Sequence, residues 1–246
     1  MRYFLELAYF GKAYHGWQRQ PDAASVQEVA ENALSTLLQK KIEIVGAGRT
    51  DAGVHASQLY AHFDVEEKLP ENMIFRINSL LPKDIAAVEL FEVQPEAHAR
   101  FDATARSYEY HIVQKKNVFQ INTAYWVKKD LDVEKMNEGA KILLEYKNFK
   151  CFSRSRTDVR TYNCEISHAY WEKTTSGLVF HIKADRFLRN MVRAIVGTLL
   201  EIGLGKMHVQ EMHTIIQSES RSEAGASVPA HGLFLTKIEY PKSIFN

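Results

Sequence analysis

The residues best suited to chemistry lie in one short stretch, 46–55, where Asp51 and Arg49 stand among three glycines. The apolar run 42–45 precedes this stretch, and the alternation of apolar and polar residues over 58–65 predicts a half-buried strand after it. Because glycine permits positive φ and close approach of other groups, we expect a tight loop between two strands that presents both charged side chains. An ordinary glycine-rich turn with a surface ion pair is the alternative.

Asp51 needs a nearby cation if it is to act as a nucleophile or a base. A carboxylate reacts in its ionised form, and burial raises the pKa of a carboxyl group, so an arginine is needed to hold the charge. Arg193 is the candidate, because it lies on the polar face of the strongly periodic helix predicted over 186–202. The alternative is that Arg193 only solvates this face. Tyr108 is a candidate aromatic platform for a substrate ring.

Two basic clusters suggest that the substrate is a nucleic acid. The first comprises Lys147, Lys150, Arg154, Arg156 and Arg160 beside Phe149 and Phe152, and the second comprises Lys183, Arg186, Arg189 and Arg193. Phosphates need cations, and unstacked bases need aromatic or guanidinium faces, although either cluster alone is more often a solvated charge run. An enzyme that acts on a base must extrude it from its stack, and Arg49 is positioned in the sequence to fill the vacated space.

The composition bounds the class of protein. A chain of 246 residues with 46% hydrophobic residues can bury a substantial core, and the formal net charge of +1 means that any polyanion site must come from local clustering. The two cysteines form no CxxC pair, so no structural zinc site is indicated, and Cys151 is expected to be a packed, inert thiol. No apolar run is long enough to span a bilayer, which predicts a cytoplasmic protein with no membrane partner.

The order of predicted elements favours an α+β fold in two similar halves that join near 95–104, with domains at 1–100 and 101–246. A capping box at Ser25 and Glu28 opens the first helix. The other predicted elements are strands at 2–9, 42–45, 58–65, 85–93, 105–113, 123–128, 163–172, 177–184 and 233–240, and helices at 71–80, 133–145, 186–202 and 207–217.

Several motifs together resemble the tRNA pseudouridine synthase A family. Residues 46–56, GAGRTDAGVHA, are similar to the signature of that family. Further blocks resemble the family in the same order: GWQRQP at 16–21, NSLLP at 78–82, HARFDA at 98–103, RSYEY at 106–110, FLRNMVR at 187–193 with Gly197, and GLFL at 232–235 before Tyr240 and Pro241. The resemblance covers nearly the whole chain, and the segment 151–164 lies in a variable region.

This resemblance implies an isomerase that needs no cofactor and no metal. The family converts uridine to pseudouridine at positions 38, 39 and 40 of the tRNA anticodon stem-loop by breaking the glycosidic bond and joining C1′ of the ribose to C5 of the base. It also implies two ferredoxin-like halves with mixed or antiparallel sheets around a central basic cleft, tRNA as the partner, and a homodimer.

The resemblance assigns roles to five residues. Asp51 would be the catalytic aspartate, and whether it attacks the base or the sugar stays open. Arg49 would take the place of the flipped base, and Arg193 would pair with Asp51. Tyr108 would stack on the target base and is a candidate proton relay, while the group that removes the C2′ or C5 proton stays open. Leu188 would help to wall the pocket.

Two other hypotheses come from different functional classes. A non-catalytic RNA-binding or chaperone protein would use the basic clusters and Arg49 and would not need Asp51. A metal-dependent hydrolase would use Asp51 together with His55, four residues later, although no further ligands cluster nearby.

Overall fold

A computed structural model describes residues 1–154 and 159–245. Nine strands and five α-helices lie in this part of the chain, which confirms the predicted α+β class. The strands are β1 Arg2–Tyr9, β2 Val45–Gly46, β3 His55–Asp64, β4 Ile85–Val93, β5 Ala105–Val113, β6 Tyr125–Trp126, β7 Ile166–Lys173, β8 Leu178–Ala184 and β9 Leu233–Glu239. The helices are α1 Val26–Leu38, α2 Met73–Leu80, α3 Val133–Ile142, α4 Met191–Gly203 and α5 Glu211–Ser218.

The chain divides into two compact units, which we describe separately. The first contains Met1–Ala105 together with the residues from Phe234 onward, and the second contains Arg106–Leu233. The sequence alone assigned the last strand to the second half. In the structure, β9 instead runs parallel to β3 of the first unit, with His55 opposite Phe234.

The sheet of the first unit is built around β1 and β3. These strands pair antiparallel, β4 adds antiparallel to the free edge of β1, and β2 adds antiparallel to β3. Tyr3, Leu5 and Leu7 are buried on one face of β1. With α1 and α2 included, the elements follow the order β-α-β-β-α-β.

The alternation over 58–65 correctly predicted a strand, but the expectation that this strand is half-buried was wrong, because residues 59–63 are all buried and Tyr240 packs on the Tyr60 ring at 5.4 Å between centroids.

Helix α1 begins where the capping box predicted. The Ser25 hydroxyl accepts a hydrogen bond from the Glu28 backbone N–H at 3.3 Å. Val26, Ala30 and Leu34 recur at helical spacing and are buried, so this face packs into the core.

The strand predicted over 42–45 was wrong in extent, since only Val45–Gly46 pair as β2. Helix α1 supplies the reason. The backbone N–H of Ile42 donates to the Ser35 hydroxyl at 2.9 Å, and that of Ile44 donates to the Glu31 carboxylate at 3.1 Å. Side chains of α1 thus satisfy backbone groups that a strand ladder would otherwise pair.

The C-terminal segment covers one face of the first sheet. The Tyr240 hydroxyl donates to the Ala99 carbonyl at 2.6 Å, and the Tyr240 ring packs edge-on against Phe4 at 5.3 Å between centroids. Phe245 also packs edge-on against Phe4. These contacts bury Phe4 completely, although it lies on the face of β1 opposite Leu5.

In the second unit, β8 pairs antiparallel with both β5 and β7, and β6 pairs parallel with β5. All residues of α4 except Arg193 and Glu201 are buried.

Helix α4 begins at Met191, five residues after the start predicted at residue 186. Asn190 has φ 68°, a left-handed conformation that a continuing α-helix cannot contain, and Phe187 and Leu188 imitate helical spacing from the preceding turn.

Other boundaries shift by a few residues. The helices predicted to start at 71 and 207 start at Met73 and Glu211, and the strand predicted over 123–128 shortens to Tyr125–Trp126. Among the described residues, no helix combines the length and apolar character needed to cross a membrane.

Candidate active site

The loop that carries Asp51 lies between β2 and β3 and is fixed by backbone hydrogen bonds. At its start, the Ala47 N–H donates to the Tyr60 carbonyl at 2.8 Å. At its end, the Gly53 N–H donates to the Tyr14 carbonyl at 3.2 Å, and the Val54 N–H closes a turn onto the Asp51 carbonyl at 3.1 Å. The loop is therefore a formed turn on a rigid hairpin.

Contacts from the N-terminal segment hold the middle of the loop. The Thr50 hydroxyl lies 2.8 Å from the Tyr9 hydroxyl, and both residues are buried. The backbone N–H of Trp17 donates to the Thr50 carbonyl at 3.4 Å. Thr50 is thus anchored on both its side chain and its backbone, while its neighbours differ in exposure: Arg49 is exposed and Asp51 is half-buried.

The three glycines of the loop have different reasons to be glycine. Gly53 has φ 79°, in the left-handed region that disfavours side chains. A Cβ on Gly46 would lie 2.3 Å from Nε1 of the buried Trp17 indole, so close approach excludes a side chain there. Gly48 has no atom within 4 Å of such a Cβ, and neither it nor Gly46 has positive φ. Of the three glycines expected to shape this turn, Gly46 and Gly53 are therefore required by the structure, and Gly48 is not.

His55 serves packing in this structure. Its ring is buried between those of Phe10 and Phe234, with centroid distances of 4.4 and 4.6 Å. Its Nδ1 accepts a hydrogen bond from the Gly11 N–H at 2.9 Å. Within residues 1–154 and 159–245, no group of three His, Cys, Asp or Glu side chains is arranged to hold a metal ion.

A small cavity of about 180 Å³ lies beside Arg49 in the first unit. Its lining includes the guanidinium-bearing Arg49 and Arg100, the amide-bearing Gln18 and Gln27, and Trp17. The Gln18 amide donates to the Gln27 carbonyl oxygen at 2.8 Å, which orders this wall. The cavity offers donors of the kind that nucleotide phosphates and base edges accept. Sequence reasoning did not assign a role to Arg100, although it lies in one of the motifs, 98–103.

In the second unit, Tyr108 lies on β5 and is half-buried. Its ring meets that of Phe187 edge-on, with centroids 5.1 Å apart. Leu188, next in the chain, is buried in the turn before α4. The edge-on packing fixes the plane of the Tyr108 ring, which is a requirement for a stacking platform.

Arg193 lies in the first turn of α4 and is held by the segment that follows residues 218–227. Its Nε donates to the Val228 carbonyl at 2.7 Å, and the Val228 N–H donates back to the Arg193 carbonyl at 3.2 Å. The Tyr110 hydroxyl donates to the Pro229 carbonyl at 2.8 Å, and burial raises the pKa of Tyr110, so this donor stays protonated. The guanidinium direction is therefore set by two elements far apart in sequence.

The loop 218–227 is itself tied to α4. The Gly225 N–H donates to the Thr198 hydroxyl at 2.9 Å, and the Asn190 amide donates to the Ser227 hydroxyl at 2.6 Å. Gly197 permits this approach, since a Cβ there would collide with the Ala226 carbonyl oxygen.

The first basic cluster does not offer the aromatic faces that the sequence suggested. Phe149 and Phe152 are both completely buried, so the expectation that they stack on bases was wrong. Lys150 is paired with Glu219 at 3.3 Å. Arg156 lies outside the described residues. In the same segment, Cys151 is completely buried, which confirms the predicted packed thiol, and this burial raises its pKa to about 12.

The second basic cluster is divided between a turn and a helix. Lys183 lies on β8, Arg186 and Arg189 lie in the turn, and only Arg193 is helical. The structure thus places Arg49 and Asp51 on one loop of the first unit. In the second unit, Tyr108 contacts Phe187, which directly precedes Leu188, and Arg193 lies five residues further along the chain. The pairing of Arg193 with Asp51 stays a prediction.

Comparison with known sequences decides the family. The family described as tRNA pseudouridine synthase matches residues 7–102 and 140–241. The chain belongs to the tRNA pseudouridine synthase family. It is 52% identical to tRNA pseudouridine synthase A of Bacteroides thetaiotaomicron, across 100% of this chain and 93% of the relative. It is 50% identical to the protein of that name from Parabacteroides distasonis, across 99% and 98% of the two chains.

Members of this family are isomerases that form pseudouridine in tRNA, and the chain is an enzyme of this class. The family match includes the Asp51 loop and its N-terminal supports, and also α4 with the segment that orients Arg193. Residues 103–139, which include Tyr108, lie between the two matched ranges.

Proposed function

We propose that this protein isomerises uridine to pseudouridine at positions 38, 39 and 40 of the tRNA anticodon stem-loop, with Asp51 as the catalytic residue. The observation that carries the proposal is the half-buried Asp51 on a loop anchored at Thr50, Ala47 and Gly53. A reacting carboxylate must be held in a fixed position, and such an anchored loop on a hairpin meets that need.

The reaction balances without an external reactant. The bond between N1 and C1′ breaks, a bond forms between C5 and C1′, and the proton that leaves C5 is offset by one gained at N1. Such chemistry needs an ionised carboxylate and a path for a proton, so a cofactor is not required.

Arg49 supports the base-flipping step in this proposal. Its side chain is exposed and lies two residues before Asp51, at the rim of the cavity shared with Arg100. A flipped uridine leaves a gap in the stack, and an exposed guanidinium can occupy this gap while it donates hydrogen bonds. Tyr108 would then stack on the extruded base, Leu188 would wall the pocket, and Arg193 would hold the charge on Asp51.

We also propose that the enzyme works as a homodimer in the cytoplasm. Sedimentation of the full chain, with and without tRNA, measures its oligomeric state. A mass equal to one chain at working concentrations would refute the dimer without affecting the assignment of Asp51.

The test of the proposed function is Asp51→Asn with site-resolved mapping of pseudouridine in an unmodified tRNA transcript. Asparagine keeps the size of the side chain and removes its charge, so we expect product formation to fall at least about a thousandfold while tRNA affinity stays within about threefold. Glu66→Gln is the matched control, because it removes a carboxylate that is far more exposed and pairs only loosely with Lys40 at 3.8 Å.

Pseudouridine at the wild-type rate in Asp51→Asn would refute the catalytic role. If the wild-type protein forms pseudouridine in tRNA only outside positions 38, 39 and 40, the proposed positions are refuted and the class of enzyme stands.

A further inference from the structure

An exposed apolar turn stands out on the second unit, in the segment 114–129 between β5 and α3. We call this segment the lysine-aromatic turn. Phe119 is 93% exposed, and Val118 and Ile121 are each more than 60% exposed. Trp126 at the end of the segment is 40% exposed. Apolar side chains grouped on a surface in this way mark interaction sites more often than chance exposure.

The exposure is built into the turn. The Asn117 side chain accepts a hydrogen bond from the Phe119 N–H at 3.0 Å and donates to the Gln120 side chain at 2.8 Å. The Ala124 N–H donates to the Gln120 carbonyl at 3.0 Å, and the Val127 N–H donates to the Val113 carbonyl at 2.9 Å. Hydrogen bonds therefore close the turn on both sides and hold Phe119 outward.

The charge around the turn has one sign. The segment 114–129 contains four lysines and no acidic residue, in a chain whose formal net charge is only +1. Lys115, Lys116, Lys128 and Lys129 are all exposed, and none forms an ion pair with a described residue. The Lys128 ammonium lies 4.7 Å from the centroid of the Trp126 ring, which keeps a cation beside an aromatic face.

Charge decides which partner fits. A second copy of the chain bound through the same patch would place four lysines against four lysines, and juxtaposed like charges oppose such a contact. An RNA strand instead supplies phosphates for the lysines and an unstacked base for the Phe119 ring. The turn thus combines exposed cations with an exposed aromatic face, a combination that the cluster at 147–160 lacks because Phe149 and Phe152 are buried.

We propose that the lysine-aromatic turn is a tRNA-binding surface, in which an unpaired base stacks on Phe119 and the phosphates beside it contact the flanking lysines. The proposal rests on tRNA being the substrate and adds a contact outside the loop of Asp51. It concerns affinity for tRNA and leaves the chemical step to the residues described above.

The test measures tRNA affinity of the full-length protein over a range of salt concentrations. Phe119→Leu keeps an apolar side chain and removes the ring, so we expect at least about a fivefold loss of affinity, while Phe119→Tyr stays within about twofold of wild type. Phe75→Leu is the matched control, because Phe75 is 74% exposed on α2 of the first unit. Its affinity is expected to be unchanged.

The lysines are tested by the double variant Lys115→Gln, Lys116→Gln. We expect weaker binding and a slope of log affinity against log salt that is smaller by about one to two. Lys40→Gln, Lys41→Gln is the control, since this adjacent pair already contacts Glu66 and Glu43 and should leave the slope unchanged.

Wild-type affinity in Phe119→Leu would overturn the proposal, as would equal effects of the two lysine pairs. A variant that loses its oligomeric state in sedimentation while each chain keeps its tRNA affinity would show a protein contact instead. All three of these results leave the catalytic assignment of Asp51 unchanged. Conversely, an active Asp51→Asn variant, together with the expected loss of tRNA affinity in Phe119→Leu, would refute only the catalytic role of Asp51.

Discussion

Gly46→Ala should damage both the stability and the activity of the enzyme, although Gly46 touches no substrate in our proposal. The added Cβ would lie 2.3 Å from Nε1 and 2.5 Å from Cε2 of Trp17, whose indole is 1% exposed. Carbon atoms in contact are separated by about 3.5–4.0 Å, so either the indole or the loop must move by about 1 Å. A rigid buried ring cannot rotate away without displacing its neighbours.

Both consequences have an expected size. Overpacking of this kind costs about 1–3 kcal/mol of the free energy of unfolding. Displacement of the loop by about 1 Å moves Asp51, and misplacement of a reacting group on that scale lowers the rate by about a hundredfold. Urea unfolding measures the first effect, and single-turnover pseudouridine formation with saturating enzyme measures the second.

Gly48→Ala is the matched control from the same loop. No atom lies within 4 Å of the added Cβ, and Gly48 does not have positive φ, so the free energy of unfolding should change by no more than about 0.5 kcal/mol. Equal destabilisation by the two variants would refute the close-packing argument. Wild-type activity in a destabilised Gly46→Ala would refute the link between Trp17 and Asp51.

Two further predictions concern other parts of the molecule. Arg193→Lys cannot reproduce both the planar guanidinium and its Nε contact to Val228, so single-turnover pseudouridine formation should fall at least about tenfold with tRNA affinity nearly unchanged, and an unchanged rate would contradict the role of Arg193. Burial lowers the pKa of His62 from 6.5 to about 4. Between these two pH values the imidazole is protonated in the unfolded chain and neutral in the folded one, so up to about 3 kcal/mol of the free energy of unfolding is lost as the pH falls from 6.5 to 4. Urea unfolding between pH 7.5 and 4 should show a shallower decline for His62→Asn, and identical slopes would refute this reading.

Local signals in the sequence were sufficient for much of the fold. The cap at Ser25 is a property of neighbouring residues, and the structure keeps it. The period of two over 58–65 marked a strand but not its burial, because the second face of β3 is covered by residues distant in sequence. The start of α4 was missed because apolar spacing cannot reveal the left-handed backbone of Asn190. The strand over 42–45 was overestimated because Glu31 and Ser35 bind its backbone from α1, a long-range contact that no local pattern records.

The candidate site divides in the same way. Asp51 and Arg49 could be found from residue types within one loop. Their supports could not, since Tyr9 reaches Thr50 across 41 positions and Val228 reaches Arg193 across 35. The residue types in the sequence show which side chains can react, whereas tertiary contacts, which the sequence does not show, determine which of these side chains are held in place.

The aromatic residues beside lysines show why burial must be known before an RNA contact is assigned. Phe149 and Phe119 each lie within three residues of a lysine, so from the sequence alone both are equally good candidates for stacking on a base. Phe149 is buried in the core, whereas the hydrogen bonds of Asn117 turn Phe119 almost fully to solvent. A base can stack only on a ring whose face is accessible, so the lysine-aromatic turn, and not the cluster at 147–160, has the surface that an unpaired nucleotide needs.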